Sequence, residues 1–83
     1  MHLVKLSASA IRDLQAFKKS GIDVSRLHGE LETQMRQAMT SGHFHTTGGG
    51  LFHLRLLGRY RAVVRKRENT CEVLRIVDLW QQE

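Results

Sequence analysis

Six basic side chains crowd into the stretch Leu51–Arg67: Arg55, Arg59, Arg61, Arg65, Lys66 and Arg67, with no acid among them. The 83-residue chain has a formal charge of +5, so outside this stretch it is slightly acidic. A local block of this kind points to a polyanionic partner, either nucleic acid or an acidic protein segment. Five of the six are arginines, whose planar fork suits bidentate contact with phosphate or carboxylate. His53 lies in the same stretch, and its ordinary pKa of about 6.5 makes it the one group there able to act as acid or base near neutrality.

Other reactive residues lead nowhere. His43, His45 and His53 could share a metal ion, but no Cys or acid in the loop completes the set, so no metal and no cofactor is expected. Gly48-Gly49-Gly50 lacks a following Lys-Ser/Thr and opens a strand rather than a helix, so it is not a phosphate loop. Cys71 has no adjacent base and cannot form an internal disulfide; it reads as a small hydrophobe.

The elements that position these residues follow from periodicity. Residues 2–6 alternate weakly and suit a short strand. Ser7 and Ser9 are good N-caps for a helix bearing Ala10, Ile11, Leu14 and Phe17, which Ser20-Gly21 stops. Asp23 caps a second helix, with Ile22 and Leu27 at the spacing of a hydrophobic staple. Its stripe of Val24, Leu27, Leu31 and Met35, with Ala38 or Met39 beyond, runs to Ser41-Gly42. After the loop 43–50 the period changes to two. Strands are expected at Leu51–Leu57, Tyr60–Arg67 and Cys71–Leu79, with turns at Gly58-Arg59 and Glu68-Asn69-Thr70.

Alternation sorts the faces of the strands. One parity holds Phe52, Leu54, Leu56, Tyr60, Ala62, Val64, Leu74 and Ile76, which should pack on the helices. The other holds His53, Arg55, Arg61, Arg65, Arg67 and Arg75, interspersed with Val63, Val73 and Val77. Basic groups from three strands thus converge on one sheet face. Trp80 falls on the helix-facing parity, as either the last core residue or a partner anchor.

Strand, helical hairpin and three-stranded antiparallel meander, with Gly58-Arg59-Tyr60-Arg61 leading into the middle strand, resemble the RelE/ParE toxin superfamily. The resemblance runs from Val4 to about Leu79 and is clearest over Leu54–Val64 and Glu72–Val77. It implies one α+β domain over 1–83, the toxin half of a bacterial type II toxin–antitoxin pair. It also implies a cognate acidic, partly disordered antitoxin. RelE-like members cut mRNA on the ribosome, whereas ParE-like members poison DNA gyrase by binding. If the chain is a nuclease, the family's sheet-face residues fall on His53, Arg55 and Arg61. The family's nucleases carry further Arg, Tyr or His residues at the end, but here nothing of that kind follows Arg75: the chain reads Asp78-Leu79-Trp80-Gln81-Gln82-Glu83. The ParE-like mode needs only a surface, and it is preferred. Arg55, Arg61, Arg65, Arg67, Arg75 and Trp80 are then the expected partner- or nucleic-acid-binding residues. A basic nucleic-acid-binding regulator is a further alternative, weakened because no aromatic falls on the basic parity. With no signal-peptide anatomy and no membrane-length apolar run, a cytoplasmic protein is expected.

Overall fold

In a computed structural model, residues 3–41, 50–67 and 70–81 are described; the proposed His43–His45 loop and the Met39 side chain lie outside them. The elements are β1 (Leu3–Leu6), α1 (Ala8–Lys19), α2 (Val24–Ser41), β2 (Leu51–Leu56), β3 (Tyr60–Arg67) and β4 (Thr70–Asp78), closed by a 3-10 turn at Leu79–Gln81. They build one four-stranded sheet in the order β1-β4-β3-β2. The meander is antiparallel, while β1 joins it parallel to β4. No helix among the described residues is long and apolar enough to cross a membrane.

Local chemistry sets the helix ends. Ser7 caps α1, its hydroxyl accepting the Ala10 N–H at 3.0 Å. At the other end Gly21 takes φ 86°, while Gly21 N–H donates to Lys18 C=O and Ile22 N–H to Phe17 C=O. This is a Schellman cap, which satisfies carbonyls that would otherwise be orphaned. Asp23 caps α2 through the Arg26 N–H.

The helices cover one face of the sheet. Leu27, Leu31 and Met35 of α2 and Ala10 of α1 meet Phe52, Leu56, Tyr60, Ala62, Val64, Cys71, Val73 and Ile76 in a single buried cluster. Fully burying one such large side chain is worth about 1.5–3 kcal/mol, so this cluster is the main stabilising element. Leu14 and Phe17 pack at its margin, whereas Ile11 turns outward and is exposed.

Strand β4 departs from simple alternation. Val63 pairs with Arg75 but Val64 pairs with Val73, leaving Leu74 as the extra residue of a β-bulge. The bulge changes the parity of the strand's first half. Val73, expected on the basic face, is therefore fully buried, and Leu74, expected in the core, is only half-buried. Cys71 is also in the core, where burial pushes its thiol pKa up, against a smaller opposing effect of Lys66. Beyond the end of β1, helix α1 takes over the β4 edge. The Ser7 N–H donates to Val73 C=O and its hydroxyl to Leu74 C=O, and the Asp13 carboxylate accepts the Ile76 N–H at 2.8 Å.

Candidate functional site

The face opposite the helices is built from alternate residues of all four strands, and register fixes its rows. Arg55, Arg61 and Val77 form one row, His53, Val63 and Arg75 the next, and Leu51, Arg65, Glu72 and Lys5 a third. His53 and Arg55 are two apart on β2 and share the face, and Arg55 lies directly across from Arg61. The three residues expected to serve a nuclease are therefore neighbours at one corner. His53, Arg55 and Arg61 are all exposed there.

Opposed like charges in a sheet cost stability, by roughly 0.2–1 kcal/mol per pair on the scale of cross-strand interactions. Among the described residues no carboxylate pairs with Arg55 or Arg61; Arg55 makes one long contact, 3.5 Å, to the Gly58 carbonyl. Nor does any described residue hydrogen-bond to the His53 ring. Among the described residues this corner has cations for an anion and no oriented acid–base pair.

Arg75 is held differently. Its guanidinium meets Asp13 of α1 in a bidentate pair, at 2.9 and 3.1 Å, which raises its pKa. Its charge is thereby offset within the chain. Arg65 and Arg67 line a shallow hollow of about 180 Å³ with Lys5, Thr70 and Glu72, at the far end of the face from Arg55 and Arg61.

Arg59, in the β2–β3 turn, was absent from the expected site and anchors a second cluster. It donates to both oxygens of Asp78 at 3.0 and 2.8 Å, and Asp78 is only 5% exposed. The hydrogen bonds from Arg59 hold the Asp78 carboxyl below its usual range against the opposing effect of desolvation, with the Trp80 N–H helping. The same guanidinium lies 4.5 Å from the centre of the Trp80 ring and 5.2 Å from that of Tyr60. Tyr60 is buried and packs against Phe17, ring centres 5.3 Å apart. Trp80, at 72% exposure, is not the last core residue; it caps this stack from outside. A sequence signal for the pair existed in the lone acid closing β4, but nothing in the spacing said which arginine it would meet.

The turn itself is unusual. Leu57 and Gly58 have φ of 52° and 67°, with Arg59 N–H donating to Leu56 C=O. Glycine adopts that geometry freely, whereas a leucine in the left-handed region costs about 1–2 kcal/mol.

No family model matches the chain, and no curated protein matches it in sequence. Two solved structures match its fold. One is from the chromosomal ParDE TA system of P. aeruginosa, with a TM-score of 0.70 and 19% identity over 95% of this chain and 97% of that one. The other is YafQ from E. coli strain BL21(DE3), with a TM-score of 0.61 and 9% identity over 94% and 93%. The chain has the RelE/ParE-like toxin fold. Both matches span nearly the whole of each chain.

Proposed function

We propose that this protein is the toxin component of a bacterial type II toxin–antitoxin system, neutralised by an acidic antitoxin, and that it acts by docking on DNA gyrase rather than by cutting RNA. The observation that carries this reading is the Arg55–Arg61 corner. Two arginines face each other, with no carboxylate on either and no helix over that sheet face among the described residues, at a cost to the fold. That arrangement suits an acidic surface or segment of a partner, which would offset the repulsion on binding. The higher TM-score with the ParDE structure agrees with it.

A second reading, ribosome-dependent mRNA cleavage, draws on His53 standing beside the two arginines. Attack of a 2′-hydroxyl on its phosphate needs a proton acceptor, cations for the phosphorane and a donor for the leaving oxygen. His53 and the arginines supply the first two. Among the described residues after Arg75, neither offers the third: Asp78 is buried against Arg59 and Trp80 is not titratable.

Pulse-labelling of DNA and protein synthesis in bacteria just after induction separates the readings. Thymidine incorporation failing first, with a DNA-damage response, supports gyrase. Methionine incorporation failing first, with arrest relieved by His53→Ala, supports mRNA cleavage. Unimpaired growth overturns both.

A further inference from the structure

The open face of the sheet carries a second group of cations, at the end away from Arg55 and Arg61. Lys5 of β1, Arg65 and Arg67 of β3, and Thr70 and Glu72 of β4 line one hollow of about 180 Å³. Register explains why they meet. Glu72 pairs across to Arg65 on one side and to Lys5 on the other, and Thr70 pairs with Arg67. Neighbouring strands lie about 4.8 Å apart, so these side chains rise from adjacent positions on one face. They nevertheless do not close on one another. Among the described residues Lys5, Arg65 and Arg67 form no ion pair, although Glu72 stands between two of them. Arg59 and Arg75, by contrast, each meet an aspartate at hydrogen-bond distance.

Three cations against one carboxylate leave the hollow with a net charge of +2. Cations gathered this closely repel, and an anion seated among them offsets the repulsion. The donors select which anion. Two guanidinium forks, an ammonium and the Thr70 hydroxyl present more donors than the roughly four acceptor sites of a carboxylate can take. A phosphate group brings three terminal oxygens and nearly two negative charges, and arginine forks match its geometry. The hollow is also smaller than the ~300 Å³ at which sites for drug-sized molecules begin, which suits one small anionic group.

We infer that this hollow binds a phosphate group, that of inorganic phosphate or of a phosphate monoester, at a site separate from the Arg55–Arg61 corner. The inference goes beyond the toxin reading and depends on neither gyrase nor an antitoxin. Arg65 and Arg67 hold the group from β3, Lys5 holds it from β1, and Glu72 limits how tightly it is held.

The test is a chemical-shift titration of the purified, isotope-labelled chain in low-salt, phosphate-free buffer. The probes are inorganic phosphate and a nucleoside 5′-monophosphate. Each should move the Arg65, Arg67 and Thr70 amide signals together, with a dissociation constant below about 1 mM. Arg65→Gln and Lys5→Gln should each weaken binding about tenfold, and Glu72→Gln should tighten it about threefold. Lys19→Gln removes the same charge from exposed surface on α1 and should change binding by less than about twofold. Melting curves that match the unchanged chain exclude unfolding as the cause of a loss. Binding that Lys19→Gln weakens as much as Arg65→Gln is a response to net charge and overturns the site. A glutamate-rich peptide that binds more tightly than phosphate, and is lost in Arg65→Gln, also overturns it, because the ligand is then a partner's carboxylates. Absence of any shift with either probe overturns it too, whether or not the chain arrests growth. A short oligonucleotide carrying a 5′-phosphate separates the two sources. Tighter binding than its unphosphorylated twin and than the mononucleotide assigns the phosphate to a strand end, and binding no tighter than the mononucleotide assigns it to a small molecule.

Discussion

Arg59 and Arg61 stand two residues apart and meet opposite fates. Arg59 leaves the turn towards the helix side, closes on a nearly buried carboxylate and is flanked by two aromatic rings. Arg61 enters the sheet on the other face, directly across from Arg55, with no carboxylate on it among the described residues. The first arginine is part of what holds the chain together. The second is tolerated by the fold and is available to a partner. Residue type and position in the basic stretch do not separate these roles; the register of β4, which delivers Asp78 to one and Val77 to the other, does.

That contrast can be broken from either side. Reversing the outer pair, Arg55→Glu with Arg61→Glu, should abolish growth arrest, raising the required dose more than tenfold, and leave the melting temperature within a few degrees of its starting value. Asp78→Asn should do the opposite, lowering the melting temperature by roughly 5–10 °C on the stability scale of a domain this size. The pH dependence follows from Asp78. Its pKa is depressed in the folded state, so its contribution is fully present above the unfolded carboxylate value, about 3.9, and is lost as pH falls through the lower folded value. Thermal melts from pH 6 to pH 2 should show an acid-side loss of stability that is shallower in Asp78→Asn.

A smaller effect tests the scaffold that carries both arginines. Gly50 has φ 75°, and a Cβ there would sit 2.8 Å from the Lys66 carbonyl oxygen, so Gly50→Ala should destabilise by about 1–3 kcal/mol in urea melts. The smallest is Arg61→Gln, which removes the repulsion with Arg55. It should stabilise by a few tenths of a kcal/mol in dilute buffer, and the gain should vanish in 1 M salt.

Much of this was legible in the residues. Ser7, Gly21 and Asp23 end or begin helices by local chemistry, and the strict alternation from Phe52 to Val64 separates core from cations without reference to anything distant. The misplaced strand residues share one cause. A bulge at Leu74 moves Val73 inward, and no glycine or proline in β4 marks it. Long-range partners were hidden for a related reason. Asp13 and Arg75 lie 62 positions apart, and only the parallel docking of β1, which swings α1 past the end of β4, brings them together. The left-handed Leu57 was unreadable because the neighbouring glycine drew the turn towards itself.

The way α1 finishes the edge of β4 bears on how the chain survives at high concentration. An open strand edge is a template on which further chains can add, and cross-β growth begins from such edges. Here β1 lines the strand through Val73, and Ser7 and Asp13 then occupy the Val73 and Leu74 carbonyls and the Ile76 amide. The longest strand of the sheet is thus closed to recruitment along that side by a serine and an aspartate. At the other boundary of the sheet, Gln34 donates to the Arg55 carbonyl. Side chains of the two helices and of the α1 cap thus occupy backbone groups that an added strand would otherwise pair with.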